Sequence, residues 1–362
     1  MAVKFTKPEL NLREKISELD KPSGIAGHAM LAADTPQEQF DLIGAGRRNL
    51  IINGGFDVWQ RGTTGSLVGG PDYVSADRWK IYVNTSTTIS LTRQSFTTGQ
   101  TEVPGNPKYY GRFDWLGTAT SQFFGFEQLI EGVHHGAGDF LTVSFYARTQ
   151  YGDDMVLGIN QKFGTGGSAD TALGNFDLIM ETSWKKFVLT IPVPSIRGKT
   201  IGDLNCLSCT WFRTGTLNSY LDIANVQIEL GKVATPFEQR SYGEELALCQ
   251  RYYYRIGSGS SSDILGVGGN FGTTTAYFSG TYPVEMRTTP TITVNDPAYF
   301  RCHTPNGSSL IATAFGATSE NTNKMWFLNF TLPSSQPAGA ANLCFTSNNA
   351  SGYGIVSMKA EL

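Results

Sequence analysis

An all-β fold is what this sequence predicts, and three observations predict it. Apolar residues recur at every second position in one segment after another. Charged residues make up only 16% of the chain, while Gly reaches 41 of 362 residues. Between about 49 and 240, moreover, no helical stripe of useful length can be found. Such a composition suits many short strands joined by tight turns better than it suits solvated helices. Hydrophobic residues at 40%, with 22 Phe, 15 Tyr and 6 Trp, supply more burial than a disordered chain would carry. The length leaves room for two or three domains. We expect a jelly-roll-like antiparallel sandwich followed by a second, smaller β-sandwich, with a short helical N-terminal anchor and one connecting helix.

Residues 1–48 stand apart. Leu12, Ile16 and Leu19 fall at helical spacing within NLREKISELD, and Lys21-Pro22-Ser23-Gly24 stops that helix. Thr35-Pro36-Gln37-Glu38 is a capping box with Pro at the first helical position, and it starts a second short helix through Ile43. Helices this short are marginal alone, so their apolar stripes predict an arm that docks onto another subunit.

Period two takes over from Asn49 to about Arg240. LTVSFYAR sets Leu141, Val143, Phe145 and Ala147 against Thr142, Ser144, Tyr146 and Arg148. Phe187, Leu189, Ile191 and Val193 repeat the pattern, as do Met155, Leu157 and Ile159, and Ile89 with Leu91. In YLDIANVQIEL the apolar parity moves from Leu221 and Ile223 to Val226, Ile228 and Leu230, which predicts a β-bulge. At least six strands in this stretch point to the sandwich of residues 49–240. Ser241-Tyr242-Gly243-Glu244 is another capping box, predicting a connecting helix over 241–255 with Leu246, Cys249 and Tyr253 on one face. After the GSGSSS run, strands at Thr275–Gly280, Thr291–Asn295, Lys324–Thr331, Asn342–Ser347 and Gly354–Lys359 predict the second sandwich, 256–362. In MWFLNFTL both faces read as largely buried.

Several function classes are disfavoured. The net charge is −3, and no basic cluster exceeds pairs such as Arg47-Arg48 or Lys185-Lys186, so nucleic acid is not an expected partner. No apolar run approaches the ~20 residues of a membrane helix, and membrane insertion is not expected. The N-terminus lacks the apolar stretch of a signal peptide, which predicts assembly in the cytoplasm. Five Cys is an odd number for a disulfide framework. Cys206 and Cys209 form a lone CxxC, but LNCLSCTWF alternates as a strand does, so buried thiols are favoured over a metal or redox site.

No enzyme is expected. The four His are His28, the adjacent His134 and His135 in a Gly-flanked loop, and His303. G-x-S-x-G, H-E-x-x-H and a phosphate-cradling Gly loop are all missing from the sequence. A glycan hydrolase needs two carboxylates about 5–10 Å apart, and Asp114, Glu127, Asp153 and Asp154 cannot be paired from sequence.

RNLIINGGFDVWQRG (48–62), ADRW (76–79) and ANVQIELGKVATPFEQRSYGEELALCQRYYYR (224–255) together resemble a domain widespread in bacteriophage tail-fibre and other virion proteins. The resemblance covers roughly Arg48 to Arg255. PVEMRTTPTITV (283–294) is similar, more weakly, to the domain that often follows it. The first domain is also distantly similar to jelly-roll carbohydrate-binding modules, on its Asn-Gly-x-Phe opening and its S-F-x-x-R strand, Ser144–Arg148. The resemblance implies a virion location, a homotrimer, phage tail or capsid partners for residues 1–48, and contact with host surface polysaccharide. A tail fibre, a head fibre or decoration protein, and a glycan hydrolase follow in that order. From the relatives, Asp57 and Asp222 would be the positions of a structural calcium; no other cofactor is implied. Trp59 and Trp79 read as core rather than as sugar platforms. With an N-terminal anchor, the distal loop-rich stretch Asp296–Ser309 becomes the expected receptor contact, through Tyr299, Arg301 and His303. The plainer account of Tyr299 and Phe300 is packing on a trimer axis.

Overall fold

Between residues 64 and 230, strands alternate between the two halves of one ten-stranded sheet, and this sets the architecture. The computed structural model describes residues 48–362 apart from 117–122, 215–217, 258–262, 304–308, 318–319, 347 and 350–351. The short helices and docking arm expected before Arg48 lie outside the described residues, and Asn49–Leu362 forms one compact unit.

The first sandwich contains β1 (Thr64–Asp72), β2 (Lys80–Ser95), β3 (Tyr109–Leu116), β4 (Phe123–Glu131), β5 (Phe140–Thr149), β6 (Met155–Lys162), β7 (Thr171–Leu178), β8 (Lys185–Pro192), β9 (Cys206–Thr214) and β10 (Ser219–Leu230). Their order is β7-β6-β9-β4-β2-β3-β10-β5-β8, with β1 beside β2. The long β2 belongs to both halves, because Lys80–Val83 pair with β4 and Thr88–Ser95 pair with β3. From β3 onward the chain crosses between the halves at nearly every connection, as in a jelly roll.

Period two in the sequence becomes the core. Leu141, Val143, Phe145, Ala147, Met155, Leu157, Ile159, Ile89 and Leu91 are all buried in one cluster with Trp79, Trp115 and Trp211. Phe113 stacks on Phe126 at 3.7 Å between centroids, and Phe126 on Trp211 at 5.4 Å. Each such ring stabilises the fold by roughly 1.5–3 kcal/mol on leaving water. Trp59 and Trp79 are core, as expected. The predicted bulge in β10 is present: three steps from Ala224 to Gln227 face two from Tyr146 to Ser144, and Asn225 takes φ +51° to absorb the extra residue.

The NGGF segment is a turn that fastens the chain start to this core. Asn53 (φ +59°) donates from Nδ2 to the Val58 and Asp77 carbonyls at 2.8 and 3.0 Å, and its own carbonyl accepts from Trp79 Nε1. A side chain at Gly54 would sit 2.1 Å from the Val226 carbonyl oxygen, so only Gly fits. Leu50 lies alongside β10, donating to the Ile228 carbonyl at 2.8 Å, without being part of a regular strand.

Helix α1 spans Tyr242–Gln250 with the capping box at Ser241 and Glu244 in place. It ends sooner than its periodicity predicts. Tyr253–Ile256 instead form β11, because pairing with the last strand of the chain overrides the helical pattern. Tyr253 is therefore a strand residue, and the second sandwich starts near 253.

That sandwich packs β11 with β22 (Val356–Lys359) and β14 (Thr291–Val294) against a seven-stranded sheet. The latter contains β12 (Ile264–Asn270), β13 (Thr275–Thr281), β15 (Phe300–His303), β16 (Ser309–Ile311), β17 (Ala314–Ala317), β18 (Met325–Thr331) and β19 (Ala341–Thr346). Two short strands, β20 (Asn348–Asn349) and β21 (Gly352–Tyr353), form a separate ladder. Phe278, Phe300, Leu328, Phe330, Ile292 and Met358 fill the space between the two sheets. Only one face of β18 is buried: Trp326, Leu328 and Phe330 point inward while Met325 is exposed. The expectation of two buried faces fails because no third layer covers the seven-stranded sheet among the described residues.

Glu361 ties the two sandwiches together. Its carboxylate accepts from Arg61 at 2.8 Å and from Arg78, and Arg61 also contacts Asp77 at 3.3 Å. The Arg61 guanidinium lies 3.6 Å from the Tyr253 ring centroid, and that of Arg78 3.6 Å from Tyr252. Burial works against charge on both arginines, but Glu361 together with Asp77 and Tyr253 around Arg61, and with Tyr73 and Tyr252 around Arg78, offsets it, so both hold their protons more tightly than usual. The WQRG, ADRW and RYYYR motifs therefore meet at one buried joint.

Candidate functional site

Strand β10 lies between β3 and β5, and its register builds a site on the outer face of that sheet. With Phe113, Trp115, Leu221, Ile223, Phe145 and Ala147 pointing inward, their neighbours Arg112, Asp114, Tyr220, Asp222, Tyr146 and Arg148 point outward. Asp222 is directly opposite Arg112 on one side and Arg148 on the other. Arg112 donates from Nε and Nη2 to the two Asp222 oxygens at 2.7 and 2.9 Å. Arg148 donates from Nε to Oδ2 at 2.9 Å. Asp222 is 0% exposed, whereas the two arginine side chains keep 24% and 25% of their surface. The Asp222 hydrogen bonds raise the Arg112 pKa; burial opposes the Arg148 charge, but Asp222 prevails there too.

Aromatic rings surround this clamp. The Arg112 guanidinium lies 3.7 Å from the Tyr220 centroid, and that of Arg148 lies 4.9 Å from Trp184. Phe96, Tyr110 and Trp184 form a triangle with centroids 4.7 to 5.2 Å apart, Tyr110 and Trp184 meeting edge to face. Tyr146 packs on the same cluster and also lines a groove of about 510 Å³ with Ser144, Lys186, Asn225, Phe237 and Gln239. The bulge places Asn225 at this groove, and register places Lys186 beside Tyr146. Burial, and then the neighbouring Asp222, push the Asp114 carboxyl up, while Arg112 pulls it down.

The residues singled out from sequence are distributed otherwise. Tyr299 closes a short 3-10 turn, Pro297–Tyr299, and packs half-buried against the second core. Arg301 and His303 are exposed on β15; Ser309 Oγ lies 3.2 Å from His303 Nε2, and Phe345 lies 4.7 Å from its ring. The stretch read as a loop is partly a strand because Phe300 and Cys302 fill the core at alternate positions. Neither described groove is lined by Tyr299, Arg301 or His303. Asp57 borders a depression of about 190 Å³ with Lys108, Glu238, Arg240 and Glu245, where burial and Glu245 raise its pKa. Asp222 is not among the residues of that depression, and both of its oxygens are held by guanidinium groups. A calcium needs six to eight oxygens, so Asp57 and Asp222 do not fit a shared metal.

Among the remaining candidates, Glu127 is neutralised by Lys80 at 3.6 Å and Lys162 at 3.7 Å. Cys206 and Cys209 are buried free thiols on β9, with burial pushing Cys206 up to about 11 and Cys209 higher. His134 and His135 have rings 4.4 Å apart in the turn after β4, where His135 Nε2 meets the Glu131 carbonyl at 2.9 Å. Sequence reasoning missed the clamp, although the signal was available. Tyr110, Arg112 and Asp114 alternate with buried residues, as do Tyr146 and Arg148, and so mark an outward face with unusual polar and aromatic content.

No protein-family model and no curated protein matches the chain. Solved structures do, at low similarity. A family 11 carbohydrate-binding module from Clostridium thermocellum, in complex with a beta-1,3-1,4-mixed-linked tetrasaccharide, is 15% identical over 48% of this chain and 98% of its own, with a TM-score of 0.31. The enzymatically active domain of tailspike protein 4 from bacteriophage CBA120 is 11% identical over 51% of this chain and 21% of its own, with a TM-score of 0.33. A Stig cyclase from Fischerella sp. TAU, in complex with an indole compound, is 12% identical over 52% of this chain and 98% of its own, with a TM-score of 0.33. Proteins this distant and this varied assign no activity to the chain.

Proposed function

We propose that this protein is a non-enzymatic fibre subunit of a bacteriophage particle, which docks through residues 1–48 and contacts host glycans through the outer face of its first sandwich. The observation that carries the glycan reading is the outward clamp of Arg112, Asp222 and Arg148 within a ring of aromatic side chains beside a groove. Sugars present apolar C–H faces and hydroxyl edges, and a site that offers rings together with a few fixed polar groups suits both. The virion location rests on the motif resemblance over Arg48–Arg255. It extends to a tail fibre first and a head fibre second, each as a homotrimer.

Hydrolysis has one observation in its favour. Asp114 and Asp222 are diagonal neighbours across β3 and β10, a placement that sets such residues roughly 7–8 Å apart. Asp222, however, is wholly buried and accepts three guanidinium hydrogen bonds, so it has no free face for a nucleophile or a water. Binding fits this arrangement better than catalysis.

A glycan array probed with the purified chain tests the reading. We expect retention on a subset of glycans, loss of retention with Trp184→Ala in a variant that still unfolds cooperatively, and no shorter products from the bound glycan. Retention unaffected by Trp184→Ala would move the contact off this face. Light scattering should give about three times the 39.4 kDa subunit mass; a monomer would remove the trimer.

A further inference from the structure

We infer that the glycan taken by this face carries carboxylate groups, an acidic polysaccharide built on uronic or sialic acid units. The inference rests on the proposed glycan reading and adds the ligand's charge. The chain as a whole is slightly acidic, at −3. On its outer sheet face Arg112, Arg148 and Lys186 stand with three acids, Asp114, Asp222, whose charge is already shared between two arginines, and Glu229, which accepts from Thr235; Asp222 and Glu229 are buried while all three cations reach the surface.

The geometry of the cations narrows the partner further. A guanidinium has five N–H donors in a planar fork that matches a carboxylate. Asp222 takes three of the ten that Arg112 and Arg148 offer, and both side chains remain about a quarter exposed. Asp222 and the flanking rings hold both guanidiniums in place, so little side-chain freedom is lost when a ligand arrives. Lys186 lines the adjacent groove and adds a point charge one strand away from Tyr146. A neutral sugar would leave these exposed cations unmatched, whereas a repeating carboxylate would meet them along the sheet.

Binding of the full chain to polygalacturonate, to the same polymer after carboxyl reduction, and to a sulfated glycan tests the inference by biolayer interferometry. We expect polygalacturonate to bind at least tenfold more tightly than its carboxyl-reduced form, and to weaken as salt rises. Lys186→Glu, an exposed change that leaves folding intact, should weaken polygalacturonate binding several-fold. Arg148→Lys keeps the charge and loses the fork, and it should weaken binding as well. Equal binding of both polymers, or insensitivity to Lys186→Glu, overturns the carboxylate assignment while leaving glycan binding standing. Equal binding of the sulfated glycan would show an undirected cationic patch and also overturn it. Failure to bind any member of a broad neutral and acidic array would sink the glycan reading itself.

Discussion

Glu361, the penultimate residue, bonds to Arg78, 283 positions earlier in the chain, and this contact closes the joint between the two sandwiches. Arg78 is almost wholly buried, with Tyr252 stacked on its guanidinium. Removing one partner of a buried ion pair leaves an uncompensated charge and costs about 3–5 kcal/mol. Glu361→Ala should therefore destabilise the protein on that scale, as read by denaturant unfolding. Unchanged unfolding would mean that the joint is held by other contacts.

At the same joint, Asp77 has a pKa pushed up to about 6, chiefly by burial, with Arg61 opposing. A carboxyl whose folded pKa lies above its unfolded value binds more protons in the folded state. Its contribution to stability is most favourable below the unfolded value near 3.8 and is lost as pH rises towards about 6. On an order-of-magnitude scale the loss is ~3 kcal/mol. Asp77→Asn lacks this titration, so the variant should gain on the wild type between pH 4 and pH 7 in urea unfolding. A stability difference independent of pH would contradict the burial argument.

Asp222 offers a prediction of the opposite sign to the metal expectation. Chelator should leave the melting temperature of the wild type unchanged, because the Asp222 oxygens are engaged by arginines. Asp222→Ala should cost about 3–5 kcal/mol by orphaning Arg112 and Arg148. A chelator-induced drop in melting temperature would restore a cation to the fold.

Phe145 and Phe187 stack 5.1 Å apart in the first core, at 1% and 9% exposure. Truncating either to Ala should cost about 3–5 kcal/mol, with Phe145 the larger because it is enclosed more fully. Equal and small losses would indicate that the core collapses into the space vacated.

Alternation made this fold legible. The faces of β5, β6 and β9, the bulge in β10 and the cap of α1 all follow from local spacing, because each depends on residues adjacent in sequence. The end of α1 did not, since Tyr253–Ile256 join a strand 100 to 106 positions further along the chain. The outer clamp was illegible as a unit for the same reason. Arg112, Arg148 and Asp222 come from three strands, and only the register of β10 between β3 and β5 makes them neighbours. Asp222 and Arg148 were each visible in motifs, but their pairing was not. The joint was hidden too: its motifs were recognisable, while their convergence on Glu361 depends on the fold of both sandwiches.

The last prediction separates the two faces proposed for receptor contact. The expected distal residues Arg301 and His303 sit exposed on β15, flanked by Ile311 and Leu343 in register. The first-sandwich face offers Trp184, Tyr220 and two fixed guanidiniums next to a groove. A ligand gains most from groups already ordered, since little side-chain freedom is then lost on binding. Trp184→Ala should therefore reduce adsorption of particles carrying the variant to host cells, while Arg301→Ala with His303→Ala leaves adsorption near the wild-type level. Both variants should remain folded, because Arg301 and His303 are exposed and Trp184 lies outside the main core of the first sandwich. The reverse outcome, with the β15 double variant impaired and Trp184→Ala adsorbing normally, would return receptor contact to the second sandwich and leave the clamp as a structural feature of the first.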